Sequence, residues 1–141
     1  MMVVVPEMRI GSDPDYLLLT ADDSVGGAPE FLVAELHLGG LSASARVVNN
    51  YATGFEDLAG FLQQLADDWR GWEGTRRWQS LEGDLEIEAR HQYGHVQLRI
   101  TMRRFVAGWG NHGWTATGDL TIEPGEQLTQ IAKDIRPLAA G

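Results

Sequence analysis

Two runs of eight residues, Phe31–Leu38 and Leu41–Val48, are separated only by Gly39-Gly40. That pair suits the positive dihedrals of a two-residue hairpin turn. A turn there sets Leu38 opposite Leu41, Leu36 opposite Ala43, Ala34 opposite Ala45 and Leu32 opposite Val47. Every pair on that face is apolar. The other face pairs His37 with Ser42, Glu35 with Ser44 and Val33 with Arg46. A slip of one residue would turn the apolar set toward solvent, so pattern and turn agree on one register. The chain therefore contains an antiparallel sheet with one covered face. Ala43 and Ala45 leave room on that face for something bulky, and the apolar stripe of a helix is the expected occupant.

That helix is predicted in the stretch Thr53 to Trp78, over about residues 54–70. Phe55, Leu58, Leu62, Leu65 and Trp69 recur at alternating steps of three and four. They share one stripe, which Phe61 and Ala66 widen. Thr53 and Glu56 have the spacing of a capping box. Glu56 and Asp57 suit the first turn and Arg70 the last. Gly71 is expected to end the helix. Trp69 continues the stripe and is expected in the core. Trp72, between Gly71 and Gly74 in an irregular turn, is expected to be the most exposed of the cluster Trp69, Trp72 and Trp78.

The remaining pattern is mostly strand. Met8–Gly11 and Tyr16–Thr20 flank a turn at Asp13-Pro14-Asp15, and Leu17-Leu18-Leu19 reads as a strand covered on both faces. Leu81 to His91 alternates, with Leu85, Ile87 and Ala89 opposed to Glu82, Asp84, Glu86 and Glu88. Val96, Leu98, Ile100 and Met102 form the apolar face of the next strand. If Gln92–His95 is a four-residue loop, Glu88 falls beside Arg99 and Asp84 beside Arg103. A two-residue loop pairs Glu86 with Arg99 and Glu82 with Arg103 instead, and charge pairing does not choose between them. Phe105–Gly113 is a Gly-rich loop carrying Trp109, followed by a last strand through Trp114, Ala116, Leu120 and Ile122. Pro124 fits the first turn of a second helix over about 124–136, which Pro137 stops. The order of elements points to an α+β domain over residues 1–141, with antiparallel, curved sheets of about seven to eight strands.

A chain of 141 residues is long enough to bury roughly 70% of its unfolded surface, so a metal or disulfide staple is not needed. It has no cysteine, which excludes disulfides, thiol catalysis and sulfur-ligated zinc. The first residues do not form a signal sequence and no run approaches a membrane span, so a soluble cytoplasmic protein is expected. With 20 acidic residues against 11 Lys plus Arg, the net charge is −9. That balance argues against a nucleic-acid binder, which must neutralise phosphates. It favours encounter with a basic partner.

No motif declares a chemistry. His91 and His95 bracket one turn, but no HExxH or helical His pair completes a metal site. The serines lie in no GxSxG elbow, and GWGNHGW lacks the lysine and context of a phosphate loop. The row Glu82, Asp84, Glu86 and Glu88 has side chains about 6–7 Å apart along a strand, a separation open to a carboxylate pair. It equally describes the solvent face of an acidic strand, or a docking surface.

The run DDWRGWEGTRRWQSLEGDLEIEA, followed by GHVQLRITMR and a closing Leu-rich helix, resembles a bacterial domain-of-unknown-function family of short proteins (domain of unknown function 6228). The resemblance runs from about Gly11 to Leu138, and its most characteristic part is Asp68-Trp69-Arg70-Gly71-Trp72 with Trp78 and Glu82 downstream. A looser similarity links it to the immunity proteins of wall-associated (WapI-type) and polymorphic toxins. That link implies a non-enzymatic protein, without cofactor or metal, that binds and blocks a toxin. In that reading Asp67, Asp68, Glu82, Asp84, Glu86 and Glu88 steer a basic toxin inward, and an exposed Trp72 or Trp109 anchors it. The alternative is a small-molecule or peptide-binding module, whose sign is an open apolar pocket beside Ala43 and Ala45.

Overall fold

The computed structural model describes residues 6–21, 29–105 and 112–140. The elements run β1 (Glu7–Ser12), β2 (Asp15–Ala21), β3 (Phe31–Leu38), β4 (Leu41–Val48), α1 (Glu56–Asp67), β5 (Thr75–Gln79), β6 (Leu85–Gln92), β7 (His95–Phe105), β8 (His112–Ile122) and α2 (Glu126–Ala140). The eight strands form two open four-stranded antiparallel sheets, in the orders β1-β2-β3-β4 and β5-β6-β7-β8. The fold is α+β, as the pattern predicts.

The first sheet takes the register that its hairpin dictates, with Leu38 paired to Leu41 and Leu32 to Val47. Across it, Ile10, Leu17 and Leu36 stand in one row and Met8, Leu19 and Ala34 in the next. All six are buried on the same face. Leu18 between them is only half-buried, so this strand is covered on one face and not two. Of the two turn glycines, Gly40 alone has a positive φ, at 97°. Gly11 does require the absence of a side chain: its φ is 95°, and a Cβ there would stand 2.7 Å from the Asp15 carbonyl oxygen.

The second sheet resolves the ambiguous register. Glu88 pairs with Arg99, the alternative first drawn from a four-residue loop. Pairing continues one step further, to Gln92 and His95, so only Tyr93-Gly94 turn, and the two-residue loop carries the Glu88–Arg99 register and not the Glu86–Arg99 one expected of it. Both have positive φ, 55° and 77°, as a type I′ turn demands. The edge strand β5 escapes the sequence pattern. Its five residues, Thr-Arg-Arg-Trp-Gln, carry a single apolar side chain, Trp78, which is buried opposite Ile87.

Helix α1 buries Leu58, Leu62 and Leu65 completely. Each is worth roughly 1.5–3 kcal/mol relative to exposure. The capping box does not form: Phe55 is the N-cap, no side chain caps the helix, and the Thr53 carbonyl accepts the Glu56 N–H at 3.1 Å. The helix also closes earlier than its apolar spacing suggests, with Asp68 as C-cap donating to the Gln64 carbonyl. Trp69 and Arg70 thus lie beyond the last turn, and the 3.6-residue stripe no longer governs them. Trp69 is 47% exposed, against the expectation that it is core. Trp72 shows the opposite reversal. It is half-buried against the core, and its indole N–H donates to the Ala89 carbonyl at 3.3 Å.

Helix α2 starts after Pro124-Gly125 and runs through Pro137 to Ala140. Pro137 removes one late hydrogen bond but does not stop the helix, because Leu138 and Ala139 beyond it are buried. The two helices pack on each other, and α2 lies against β1. The sheets approach along β4–β7 and β1–β8. The buried residues of α1 and of the first sheet belong to one core cluster. At the seam between the sheets the Leu38 side chain fills the place that a Cβ on Gly118 would take.

Candidate functional site

The acidic row does not present a free acidic surface. Glu86 and Glu88 lie on the outward face of the second sheet, where the register carries Arg77, Glu88, Arg99 and Asp119 across all four strands. Charges alternate along that line. Arg99 forks onto Asp119, with Nε–Oδ1 at 2.9 Å and Nη2–Oδ2 at 3.2 Å. The pairing holds the Asp119 carboxyl below its ordinary value and raises the Arg99 guanidinium.

Glu86 is the chief correction. It is 3% exposed, and its carboxylate is clasped by Arg77 Nε at 2.7 Å and Arg103 Nη2 at 3.2 Å. Burial is the strongest single influence and pushes the carboxyl up. The hydrogen bonds from Arg77 and Arg103, with the charge of Arg77, together outweigh it and hold the group below the usual carboxylate range. Such a group is built to stay ionised and paired, so it offers no carboxylate to a partner. The sequence pattern sets Arg103 beside Asp84 or Glu82, not Glu86, and does not bring Arg77 to this row. Arg99 and Arg103 were visible as the polar face of β7, whereas Arg77 sits on the unrecognised β5.

Glu82 and Asp84 precede β6 and line a cleft of about 770 Å³ against the edge of β4. Val33, Ala45 and Val48 supply its apolar wall, and Arg46, Arg103 and Arg104 its cations. Asp84 behaves unlike Glu86. Burial raises its carboxyl, the Val48 backbone N–H lowers it by hydrogen bonding, and the Glu82 charge raises it again, for a net rise. Arg46 lies over the Phe31 ring at 3.9 Å.

At the end of α1, Asp67 and Asp68 are exposed. Asp67 accepts from Gln63 Nε2 at 2.9 Å and Asp68 pairs with Arg76 at 2.7 Å. Trp69 follows them at the mouth of a groove of about 920 Å³, with Arg9 and Gly11 of β1 on one side and Gln130, Lys133 and Asp134 of α2 on the other. His91 Nε2 bonds the Trp69 carbonyl at 2.9 Å and fixes the backbone there. Trp72 packs edge-on to the His91 ring at 5.4 Å with Arg76 over its own ring at 4.8 Å. The exposed aromatic of the cluster is thus Trp69, with Trp72 serving as its footing. Trp109 lies outside the described residues.

Among the described residues, no group of three His, Cys, Asp or Glu is placed to hold a metal ion. His95 meets Glu123 at 3.2 Å, and His37 stacks on Tyr16 at 4.8 Å. No helix among the described residues is long and apolar enough to cross a membrane.

The family described as "Family of unknown function (DUF6228)" matches residues 9–141. No curated protein and no solved structure matches the chain.

Proposed function

The chain belongs to this family of unknown function, and from there we propose that it is a non-catalytic binding protein whose partner is a basic protein. In its finer form the reading is an immunity protein that acts in the cytoplasm and neutralises a toxin, such as a nuclease, by direct contact. The observation that carries the proposal is Trp69, 47% exposed at the mouth of a groove and directly preceded by the exposed carboxylates of Asp67 and Asp68. Tryptophan buries a large area at low entropic cost and is enriched among the residues that dominate binding energy. Carboxylates beside such an anchor accelerate encounter with a positive partner, an effect that salt screens.

The outward face of the second sheet is the weaker candidate for that contact. It neutralises its own carboxylates with Arg77, Arg99 and Arg103. The net charge of −9 therefore has to be expressed elsewhere. The test is to read the neighbouring coding sequence for a secreted basic toxin and to titrate the chain calorimetrically against its product, at low and high salt, with Trp69→Ala in parallel. A salt-sensitive complex that Trp69→Ala weakens by about tenfold or more is the expected result. Absence of binding at both salts, or full binding by Trp69→Ala, would remove the reading.

A further inference from the structure

On the second sheet, outside the residues that line the Trp69 groove, we propose that the edge of β8 pairs with β8 of a second copy of this chain, so that two four-stranded sheets become one. β8 is the last strand of its sheet and pairs only with β7. The direction of its backbone groups follows from one bond. Arg103 donates its N–H to the Asp84 carbonyl at 2.9 Å, so Arg103, Thr101, Arg99 and Gln97 turn their backbone groups toward β6. The alternate residues of β7 turn theirs toward β8, where they meet Ala116, Gly118, Leu120 and Ile122. Thr115, Thr117, Asp119 and Thr121 are left with N–H and C=O groups directed away from the sheet. β1 approaches β8, but among the described residues no backbone bond joins the two strands or reaches those four residues from elsewhere.

The other edges carry the features that keep edge strands from pairing. β5 has five residues, two of them arginines. Helix α2 lies against β1. β4 runs along a cleft that holds Glu82, Asp84 and Arg103. β8 has no such guard. It is eleven residues long and contains neither proline nor lysine. Over Trp114–Ile122 its one charge is Asp119, which Arg99 already forks.

The occupant follows from the register. β8 pairs regularly from Trp114 to Ile122, and Gly113 beyond is skipped, since Phe105 pairs with His112. Gly118 is the middle of the regular stretch. With Gly118 of each copy on a two-fold axis, Thr115 faces Thr121 of the second copy and Thr117 faces Asp119, all on the polar face. Ala116 faces Leu120 and Trp114 faces Ile122 on the core side. Hydroxyl meets hydroxyl or carboxylate, apolar meets apolar, and no like charges are opposed. Moving the axis to Asp119 would set two carboxylates against each other. Moving it to Thr117 would bring the irregularity at Gly113 into the ladder, and a slip of one residue would oppose polar to apolar side chains. The contact is closed by its own symmetry. A single strand pair is smaller than a standard interface, so the dimer is reversible. Two chains of charge −9 repel, so salt should tighten it, the reverse of the salt response of the basic-partner complex proposed above.

The experiment is sedimentation of the full chain over a concentration series at low and high salt, followed by oxidative cross-linking. The chain has no cysteine of its own. Thr115→Cys and Thr121→Cys stand opposite each other in the dimer, within about the 4.4–6.8 Å between Cα atoms that a disulfide spans. Two copies of either variant alone hold their thiols about 20 Å apart. The mixture is expected to form a disulfide-linked dimer, and neither variant alone to do so. Thr117→Pro removes an outward N–H without removing a bond to β7, a substitution that edge strands accept, and should weaken the dimer by about tenfold or more. Trp69→Ala should dimerise like the wild type, which separates this edge from the groove. A monomer at every concentration and salt, linkage of either variant with itself as fast as in the mixture, species larger than a dimer, or undiminished dimerisation of Thr117→Pro would overturn the proposal. Should Thr117→Pro lower the melting temperature, the linkage pattern decides.

Discussion

On the outward face of the second sheet, the Glu86 carboxylate meets Arg77 Nε at 2.7 Å while Glu86 itself is only 3% exposed. The pair is buried on one side only, since more than half of the Arg77 side chain remains in water. Glu86→Gln leaves arginines that reach water and not a buried charge, so its cost is that of charge-assisted hydrogen bonds, about 1.5–3 kcal/mol. The folded carboxyl lies below its ordinary value, so its stabilisation is present above that value and is lost as pH falls through the folded pKa. Thermal melts of Glu86→Gln should show a lower melting temperature at neutral pH and a gap from wild type that closes in acid.

Asp84, two residues earlier, should behave in the opposite sense. Its folded carboxyl is raised, chiefly by burial, so ionisation in the folded state is disfavoured. Between the ordinary carboxylate value and the raised one, stability falls as pH rises, and the penalty persists above both. Asp84→Asn keeps an oxygen for the Val48 N–H and removes the charge. It is expected to melt higher than wild type at neutral pH and to gain nothing below the ordinary carboxylate range.

Gly118 and Leu38 test the seam between the sheets. A Cβ at Gly118 overlaps the Leu38 side chain, so Gly118→Ala forces that side chain to move. Overpacking of this kind costs about 1–3 kcal/mol. In a double-mutant cycle, Leu38→Ala should recover part of the loss from Gly118→Ala, giving a coupling of about 0.5 kcal/mol or more by chemical denaturation. Additive effects would place Leu38 elsewhere.

Trp69→Ala should leave the fold nearly untouched, within about 1 kcal/mol, because the indole lies outside α1 and is 47% exposed. Trp78→Ala, by contrast, empties a 7%-exposed site in the core and should cost about 3–5 kcal/mol. Denaturation curves of the two variants distinguish an anchor from a core residue.

The first hairpin was legible residue by residue, because its turn and its alternation are both local and carry the same information. The second sheet was legible in its faces but not in the length of its turn. Gln92 and His95 pair although nothing in their side chains announces it. The Trp-rich stretch misled in a definite way. Periodicity assigns Trp69 to the stripe only while the helix continues, and it stops at Asp67. Burial of Glu86 was illegible for a related reason: its two arginines arrive from β5 and β7, and one of those strands carried too little apolar alternation to be seen.

Each ladder joins only segments that are adjacent along the chain. A break between Val48 and Glu56 would therefore leave both ladders whole, one on each piece. Separately produced halves should each be able to zip up their own meander and then recombine, with the Leu38–Gly118 contact as part of the recognition. During translation, the amino-terminal meander has every pairing partner it needs before the carboxy-terminal one emerges from the ribosome.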